Sequence, residues 1–83
     1  MTMMHYYKVT LRVQNDVGVL ARITVLLRKF QVNIRSLHIE PIDTEENFSE
    51  IKMEMESKKA EMETVIKKVG RLIPVISIDY EKK

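Results

Sequence analysis

The chain contains no cysteine and no tryptophan, and it has only two glycines and two prolines among its 83 residues. Without cysteine it has no disulfide, no thiolate metal site and no thiol nucleophile. It also lacks an N-terminal leader pattern and a long apolar run, since the longest uncharged apolar stretch, residues 72–78, includes Pro74 and Ser77. We therefore expect a cytoplasmic protein that does not enter a membrane.

The size of the chain limits its organisation. A chain this short forms one domain and buries only roughly 60% of the surface of its unfolded form. We expect a single domain over residues 1–83, with a core from about residue 6 to residue 80. Because disulfides are excluded, self-association into a homodimer or a larger homo-oligomer is the expected reinforcement. The net charge of +2 and the 45% share of hydrophobic residues favour neither disorder nor nucleic-acid binding.

The hydrophobic pattern predicts six secondary-structure elements. Period-two alternation predicts four strands, and it is clear in the first and third but blurred in the second. Apolar residues at helical spacing predict one amphipathic helix from Val19 to Phe30 and another between Ser57 and Gly70. The predicted strands cover residues 7–13, 33–42, 51–56 and 75–80.

Polar residues and a glycine mark the expected helix ends. Asn15 or Asp16 is the expected cap of the first helix, and Ser57 is the expected cap of the second. Gly70 suits the stop at the end of the second helix.

The order βαββαβ with right-handed crossovers predicts an α+β ferredoxin-like sandwich, in which two helices cover one face of an antiparallel four-stranded sheet. In that topology the second and fourth strands lie at the edges. The two prolines, Pro41 and Pro74, fall in or beside those strands, where a missing N–H is tolerated. An exposed second strand can also pair with its copy in another chain and extend the sheet.

The residue pattern argues against several classes of function. The open face of the third strand carries Glu50, Lys52, Glu54 and Glu56, where an RNA-recognition module carries aromatic residues, so we expect no nucleic-acid partner. These charges can instead pair with basic residues of the first strand, such as Arg12, if the two strands are neighbours.

Metal binding and catalysis also lack the residues they need. His38 and Glu40 share a strand face, but two ligands without a third are more typical of polar surface, so we expect no metal site. The serines occur in no nucleophile motif and have no histidine at a recognisable spacing, so we expect no catalytic residues.

The segment from Asn15 to Arg22 is the informative one. Backbone amides at the start of a helix favour an anion such as a carboxylate, and Gly18 lets a small ligand approach the main chain. The side-chain oxygen of Asn15 or Asn33 can accept a hydrogen bond from an ammonium group, so together these groups suit a zwitterionic amino acid. The same residues also have a purely structural interpretation, as a cap, a turn and a bend, which spacing alone favours.

The same segment, followed by Asn33-Ile34-Arg35-Ser36-Leu37, resembles the N-terminal ACT domain of the regulatory small subunit of acetolactate synthase, also called acetohydroxyacid synthase. The likeness continues through Pro41 to Arg71-Leu72-Ile73-Pro74-Val75 and covers about Tyr6 to Tyr80. The chain length is the one expected of a short type of small subunit or of a free-standing ACT protein. Two departures are Arg35, where the family often has an acidic residue, and Gln31-Val32, which replaces a more usual glycine-aromatic pair.

The resemblance implies a feedback site for valine or a similar branched-chain amino acid between two ACT domains. The implied effector-binding residues are Asn15, Asp16, Gly18, Val19 and Leu20 of one protomer with Asn33 and Ile34 of the other. The resemblance also implies that the chain binds the catalytic large subunit, and that thiamine diphosphate, Mg²⁺ and FAD belong to that subunit. Two alternatives remain: a stand-alone amino-acid sensor for another enzyme or regulator, and a dimerisation module without a ligand.

Overall fold

The computed structural model describes residues 4–14, 18–43 and 45–83. Its elements follow the predicted order βαββαβ. They are β1 His5–Gln14, α1 Val19–Lys29, β2 Asn33–Asp43, β3 Phe48–Ser57, α2 Lys59–Gly70 and β4 Val75–Lys82. Within the described ranges, neither helix is long and apolar enough to cross a lipid bilayer.

The four strands form one antiparallel sheet in the order β2-β3-β1-β4. This order confirms the ferredoxin-like fold and leaves β2 and β4 at the edges. Pro41 lies in β2 and Pro74 directly precedes β4, so neither proline interrupts a central strand.

The core lies between the helices and one face of the sheet. Alternate residues of β1 and β3 face the helices, since a strand directs successive side chains to opposite faces. Helix α1 contributes Val19, Ile23 and Leu27, each one turn after the last. The largest fully buried side chains are Val9, Leu11, Val13, Ile23, Leu27, Ile51, Met53, Met55, Ser57, Met62 and Val65.

Helix α1 begins differently from the expectation. Its N-cap is Gly18, and the predicted caps Asn15 and Asp16 lie outside the described residues. Gly18 has a φ of 105°, in the left-handed region that favours glycine. The N–H of Arg22 donates the first helical hydrogen bond to the Gly18 carbonyl over 2.9 Å. The turn therefore needs a glycine at this position for its backbone.

The predicted cap of α2 is wrong. Lys58 is the N-cap, and no side chain caps this helix. Ser57 is the last residue of β3, is fully buried, and donates its hydroxyl hydrogen to the Lys58 carbonyl over 2.9 Å. A serine that completes the inward-facing row of a strand is thus used for packing and not for capping.

Helix α2 ends at Gly70, as predicted, but not through a left-handed glycine. Gly70 is the last residue of α2, its φ is not positive, and Arg71 is the C-cap. A Cβ atom at Gly70 would lie 3.2 Å from Cγ2 of Ile78 in β4. Glycine at this position therefore permits the close approach of α2 to β4.

The turn from α1 to β2 is a Schellman motif. The N–H of Gln31 donates to the Arg28 carbonyl over 3.1 Å, and the N–H of Val32 donates to the Leu27 carbonyl over 2.8 Å. The motif requires a left-handed residue after the C-cap, and Gln31 supplies it at a φ of 57°. Glycine, which is usual here in the family that the sequence resembles, adopts this conformation without steric cost.

We predict that Gln31→Gly stabilises the protein by about 1 kcal/mol, because it relieves the left-handed strain of a residue with a Cβ. For a domain of this size that gain raises the melting temperature by about 4–8 °C, measurable by circular dichroism. Asn47, at a φ of 61°, provides the control, since asparagine tolerates this region better and Asn47→Gly should gain less. A melting temperature for Gln31→Gly at or below that of the wild type would contradict the prediction.

Candidate functional site

The start of α1 is open to a ligand. Gly18 is exposed, and apart from its two chain neighbours no described heavy atom lies within 4 Å of the position that a Cβ would occupy. The first turn of α1 itself contains no acidic side chain that would neutralise the positive end of the helix dipole. The N–H groups of Val19, Leu20 and Ala21 precede the first helical hydrogen bond and have no acceptor within the helix. This end of α1 can therefore bind an anion such as a carboxylate.

The remaining predicted residues of the loop differ in which of their groups a ligand could contact. The side chain of Val19 is 5% exposed and belongs to the core, so Val19 can offer a ligand only its backbone. Leu20 is half-buried and packs against the core. Asn15 and Asp16 lie outside the described part of the chain, so their roles stay predictions.

Asn33 and Ile34 begin β2 and lie on opposite faces of the sheet. Asn33 is exposed and pairs with Glu56, which faces away from the helices. Ile34 pairs with the buried Met55, so it lies on the helix side and is half-buried. A ligand on one side of the sheet can therefore contact the side chain of only one of these two residues.

Within one chain, the loop and the start of β2 lie at opposite ends of the sheet. Gln14, which ends β1, pairs with Phe48, whereas Asn33 pairs with Glu56. Phe48 and Glu56 are eight residues apart on β3, which is about 27 Å along a strand. Gly18 is separated from Asn33 by the whole length of α1, about 16 Å. One small ligand cannot contact both ends in the same protomer.

The edge strand β2 carries an apolar surface that the sequence pattern did not identify as exposed. Leu37 and Ile39 pair with the core residues Met53 and Ile51 and thus lie on the helix side, yet they are 43% and 45% exposed. Ile42, further along β2, is 51% exposed. A strand with a free backbone edge and exposed apolar side chains is suited to pairing with another chain. The sequence feature that could have indicated this surface is the spacing of Leu37 and Ile39, which lie two residues apart and therefore on the same face of β2.

The open face of the sheet carries paired charges. The expected cross-strand pairing of Arg12 is confirmed, since its Nε lies 3.7 Å from Oε2 of Glu50. Lys52 approaches the same carboxylate at 3.5 Å. Nζ of Lys83 lies 2.9 Å from Oε2 of Glu54 and lowers the pKa of that carboxyl group. The basic partner of each pair is exposed to solvent, so each pair contributes little to stability.

Two further contacts lie on this face. Tyr6 donates a hydrogen bond to Glu56, which raises the pKa of the Tyr6 phenol. His38 and Glu40 lie 3.8 Å apart, between Nε2 and Oε2, and both are exposed. Across residues 4–14, 18–43 and 45–83 no cluster of three or more histidine or acidic side chains could hold a metal ion.

Comparison with known proteins identifies the family. A family model described as the AHAS small subunit-like ACT domain, where AHAS is acetohydroxyacid synthase, matches residues 9–77. The chain belongs to this family. Its members include regulatory domains of the amino-acid-sensing class, and the ACT family is generally non-catalytic. No curated protein matches the chain in sequence.

Solved structures share the ACT fold at low sequence identity. An uncharacterized protein from Thermotoga maritima is 19% identical, with a TM-score of 0.78 and coverage of 96% of this chain and 98% of that one. The ACT domain of GTP pyrophosphokinase from Chlorobium tepidum is 16% identical, with a TM-score of 0.77 and coverage of 95% and 100%. The acetolactate synthase small subunit of Thermotoga maritima is 20% identical, with a TM-score of 0.76 over 90% of this chain. This ACT domain spans 46% of that small subunit.

We predict that Lys83→Met raises the pKa of Glu54 towards its ordinary value, because the Lys83 ammonium is the main cause of the lowered pKa. The pair stabilises the fold above the ordinary glutamate pKa, and this stabilisation is lost as the pH falls through the lowered pKa of Glu54. An NMR titration of the side-chain carboxyl carbons measures the change. Lys82→Met is the matched control and should leave the Glu54 titration unaltered, whereas an unchanged pKa in Lys83→Met would refute the assignment.

Proposed function

We propose that this ACT domain is the regulatory small subunit of an acetolactate synthase. In this proposal it binds a branched-chain amino acid similar to valine between two copies of itself and modulates the activity of the catalytic large subunit. The observation that carries the proposal is the separation of Gly18 from Asn33, together with the free edge of β2. The predicted site is complete only if a second chain contributes one half of it.

A two-fold axis perpendicular to the sheet would bring the two halves together. Such an axis beside β2 pairs the two β2 strands antiparallel in a closed, self-complementary interface. The start of one β2 then lies beside the end of the other, at Asp43. Asp43 and Gln14 both pair with Phe48, so this is also the end of the sheet from which the chain leads to Gly18. The pairing would also cover Leu37 and Ile39, which are exposed in the single chain.

The chemistry of the two halves suits an amino acid. The first amides of α1 and the helix dipole favour a carboxylate. The carbonyl oxygen of an asparagine side chain, from Asn33 or Asn15, can accept a hydrogen bond from an ammonium group. Half-buried Leu20 offers apolar surface to a branched side chain.

In this proposal the chain supplies regulation and the partner supplies catalysis. Thiamine diphosphate, Mg²⁺ and FAD would belong to the catalytic subunit. An effector that binds across two chains stabilises one arrangement of the dimer. By linkage, the same coupling free energy changes the affinity of the dimer for the catalytic subunit, typically by 1–3 kcal/mol in either direction.

We predict that Gly18→Asp and Asn33→Ala each abolish effector binding, and that a mixture of the two variants partly restores it. Gly18→Asp places a negative charge where the carboxylate would bind, while Asn33→Ala removes the amide on the other side of the interface. In a mixed dimer one site carries both substitutions and the other carries neither. Random exchange of chains should therefore restore roughly a quarter of the wild-type stoichiometry. Isothermal titration calorimetry with valine, leucine and isoleucine measures it.

Two measurements make this test decisive. Gly18→Ala shares the backbone strain of Gly18→Asp but adds no charge, so its melting temperature separates unfolding from a specific loss of binding. If the mixture does not recover, although both variants remain folded and dimeric, the effector site does not span two chains. If the wild type gives no heat with any amino acid, the dimerisation module without a ligand is the better interpretation.

We also predict that the wild-type protein forms a complex with the acetolactate synthase large subunit of the same genome and raises its turnover. Size-exclusion chromatography and an acetolactate assay, each with and without valine, measure the two effects. No complex and no change in turnover would exclude this function. Amino-acid binding in the absence of any such effect would favour the alternative, a stand-alone sensor that regulates another enzyme or regulator.

A further inference from the structure

The two helices carry more positive charge than their own carboxylates balance. We call residues 18–30 and 58–73 the helical layer. It holds eight exposed cations and two carboxylates, a net charge of +6. The other described residues hold six cations and nine carboxylates, a net charge of −3. The helical layer and the sheet therefore present opposite charge.

The distribution of ion pairs adds to the difference in charge between the helical layer and the sheet. The five ion pairs among the described residues all join residues of the strands and the C-terminal residue, and none involves the helical layer. The ammonium groups of Lys29 and Lys68 each lie 5.8 Å from the ring centroid of Phe30. One aromatic ring thus holds two like charges near each other. In the isolated domain, the ammonium groups of Lys29 and Lys68 therefore repel each other.

An apolar groove lies within this basic surface. Its volume is about 380 Å³, and it is lined by Ala21, Arg22, Val25, Leu26 and Leu72. Val25 is 64% exposed and lies between Arg22 and Lys29 on the outer side of α1. Ile73, next to Leu72, is 97% exposed. Leu26 and Leu72 also pack against the core, whereas packing within this domain does not explain the exposed Val25 and Ile73.

We propose that the helical layer is the docking surface for the catalytic subunit, and that the subunit presents an acidic surface from which an apolar side chain projects into the groove. This inference rests on the proposed function and adds the surface through which regulation is transmitted. Charge complementarity accelerates and orients such docking, and a buried apolar contact at its centre supplies affinity.

Other occupants fit the helical layer less well. Two helical layers facing each other would bring together two surfaces of net charge +6, so a second copy of the chain is not the expected partner. A nucleic acid would use the cations but has no use for the apolar groove. If two chains pair through β2 about an axis perpendicular to the sheet, both helical layers face the same side, and one dimer presents two docking surfaces in parallel.

The test compares charge and apolar substitutions inside the helical layer with matched substitutions outside it. The helical-layer variants are Lys67→Glu with Arg71→Glu, and Val25→Glu. The matched controls are Lys8→Glu with Lys82→Glu, which change the charge equally but lie on the strands, and Ile76→Glu, at a 56% exposed position of β4. All substituted side chains are exposed, so the fold should persist, which circular dichroism and thermal melting confirm.

We expect each helical-layer variant to weaken binding to the purified catalytic subunit by about tenfold or more, and each control to change it by no more than about twofold. The double charge variant should also weaken the dependence of affinity on salt, since it removes charges that attract the partner. Biolayer interferometry at several salt concentrations measures both quantities.

The outcomes separate this inference from the proposed function. A wild-type protein that does not bind the catalytic subunit overturns both. Binding that the helical-layer variants leave intact, or that the controls weaken equally, overturns this inference alone. Binding of an RNA oligonucleotide that the double charge variant loses and Val25→Glu retains, with catalytic-subunit binding unchanged, would identify the layer as a polyanion site and overturn the inference.

Discussion

The architecture depends on the mismatch between short helices and long strands. The helices have 11 and 12 residues and are about 16–18 Å long, whereas the longest strand, β2, has 11 residues and spans about 36 Å. Two such helices cover only part of one sheet face, so the core concentrates on β1 and β3. The edge strand β2 has no buried side chain at all. The fold thus leaves an edge strand for which the single chain provides little cover.

That uncovered strand links stability to ligand binding. The free edge of β2 offers backbone pairing, while Leu37 and Ile39 offer apolar area, and both become useful only when another chain is present. The same strand begins with Asn33, at the opposite end of the sheet from the turn at Gly18. An effector that needs both would bind only to the associated form, so association and sensing would depend on the same surface. Such a shared surface suits a domain of 83 residues with no disulfide, because a domain of this size gains stability from association.

The distribution of charge follows the layers of the fold. Charges of both signs lie close together on the open face of the sheet, so Glu50 has basic partners in Arg12 and Lys52, and Glu54 has one in Lys83. The helices offer no such arrangement, because the last turn of each is basic and neither packs against an acidic surface. Basic residues near helix C-termini do interact favourably with the helix dipole, which explains part of the pattern. It does not explain Arg22 in the first turn of α1, nor the exposed apolar residues beside it.

By itself, the sequence determined the order of the elements and the buried rows of β1 and β3, because hydrophobic periodicity indicates which side chains are buried. The order βαββαβ with right-handed crossovers also predicted that β2 and β4 lie at the edges. It also located the glycine turn before α1, although not that Gly18 itself is the N-cap. Only the tertiary structure decided the roles of Ser57 and Gly70, since packing of a strand end and a close helix-to-strand approach overrode the local capping preferences. It likewise decided that Gly18 and Asn33 lie at opposite ends of one chain. Local patterns do not encode such distances, because strand pairing sets them between residues far apart in the sequence.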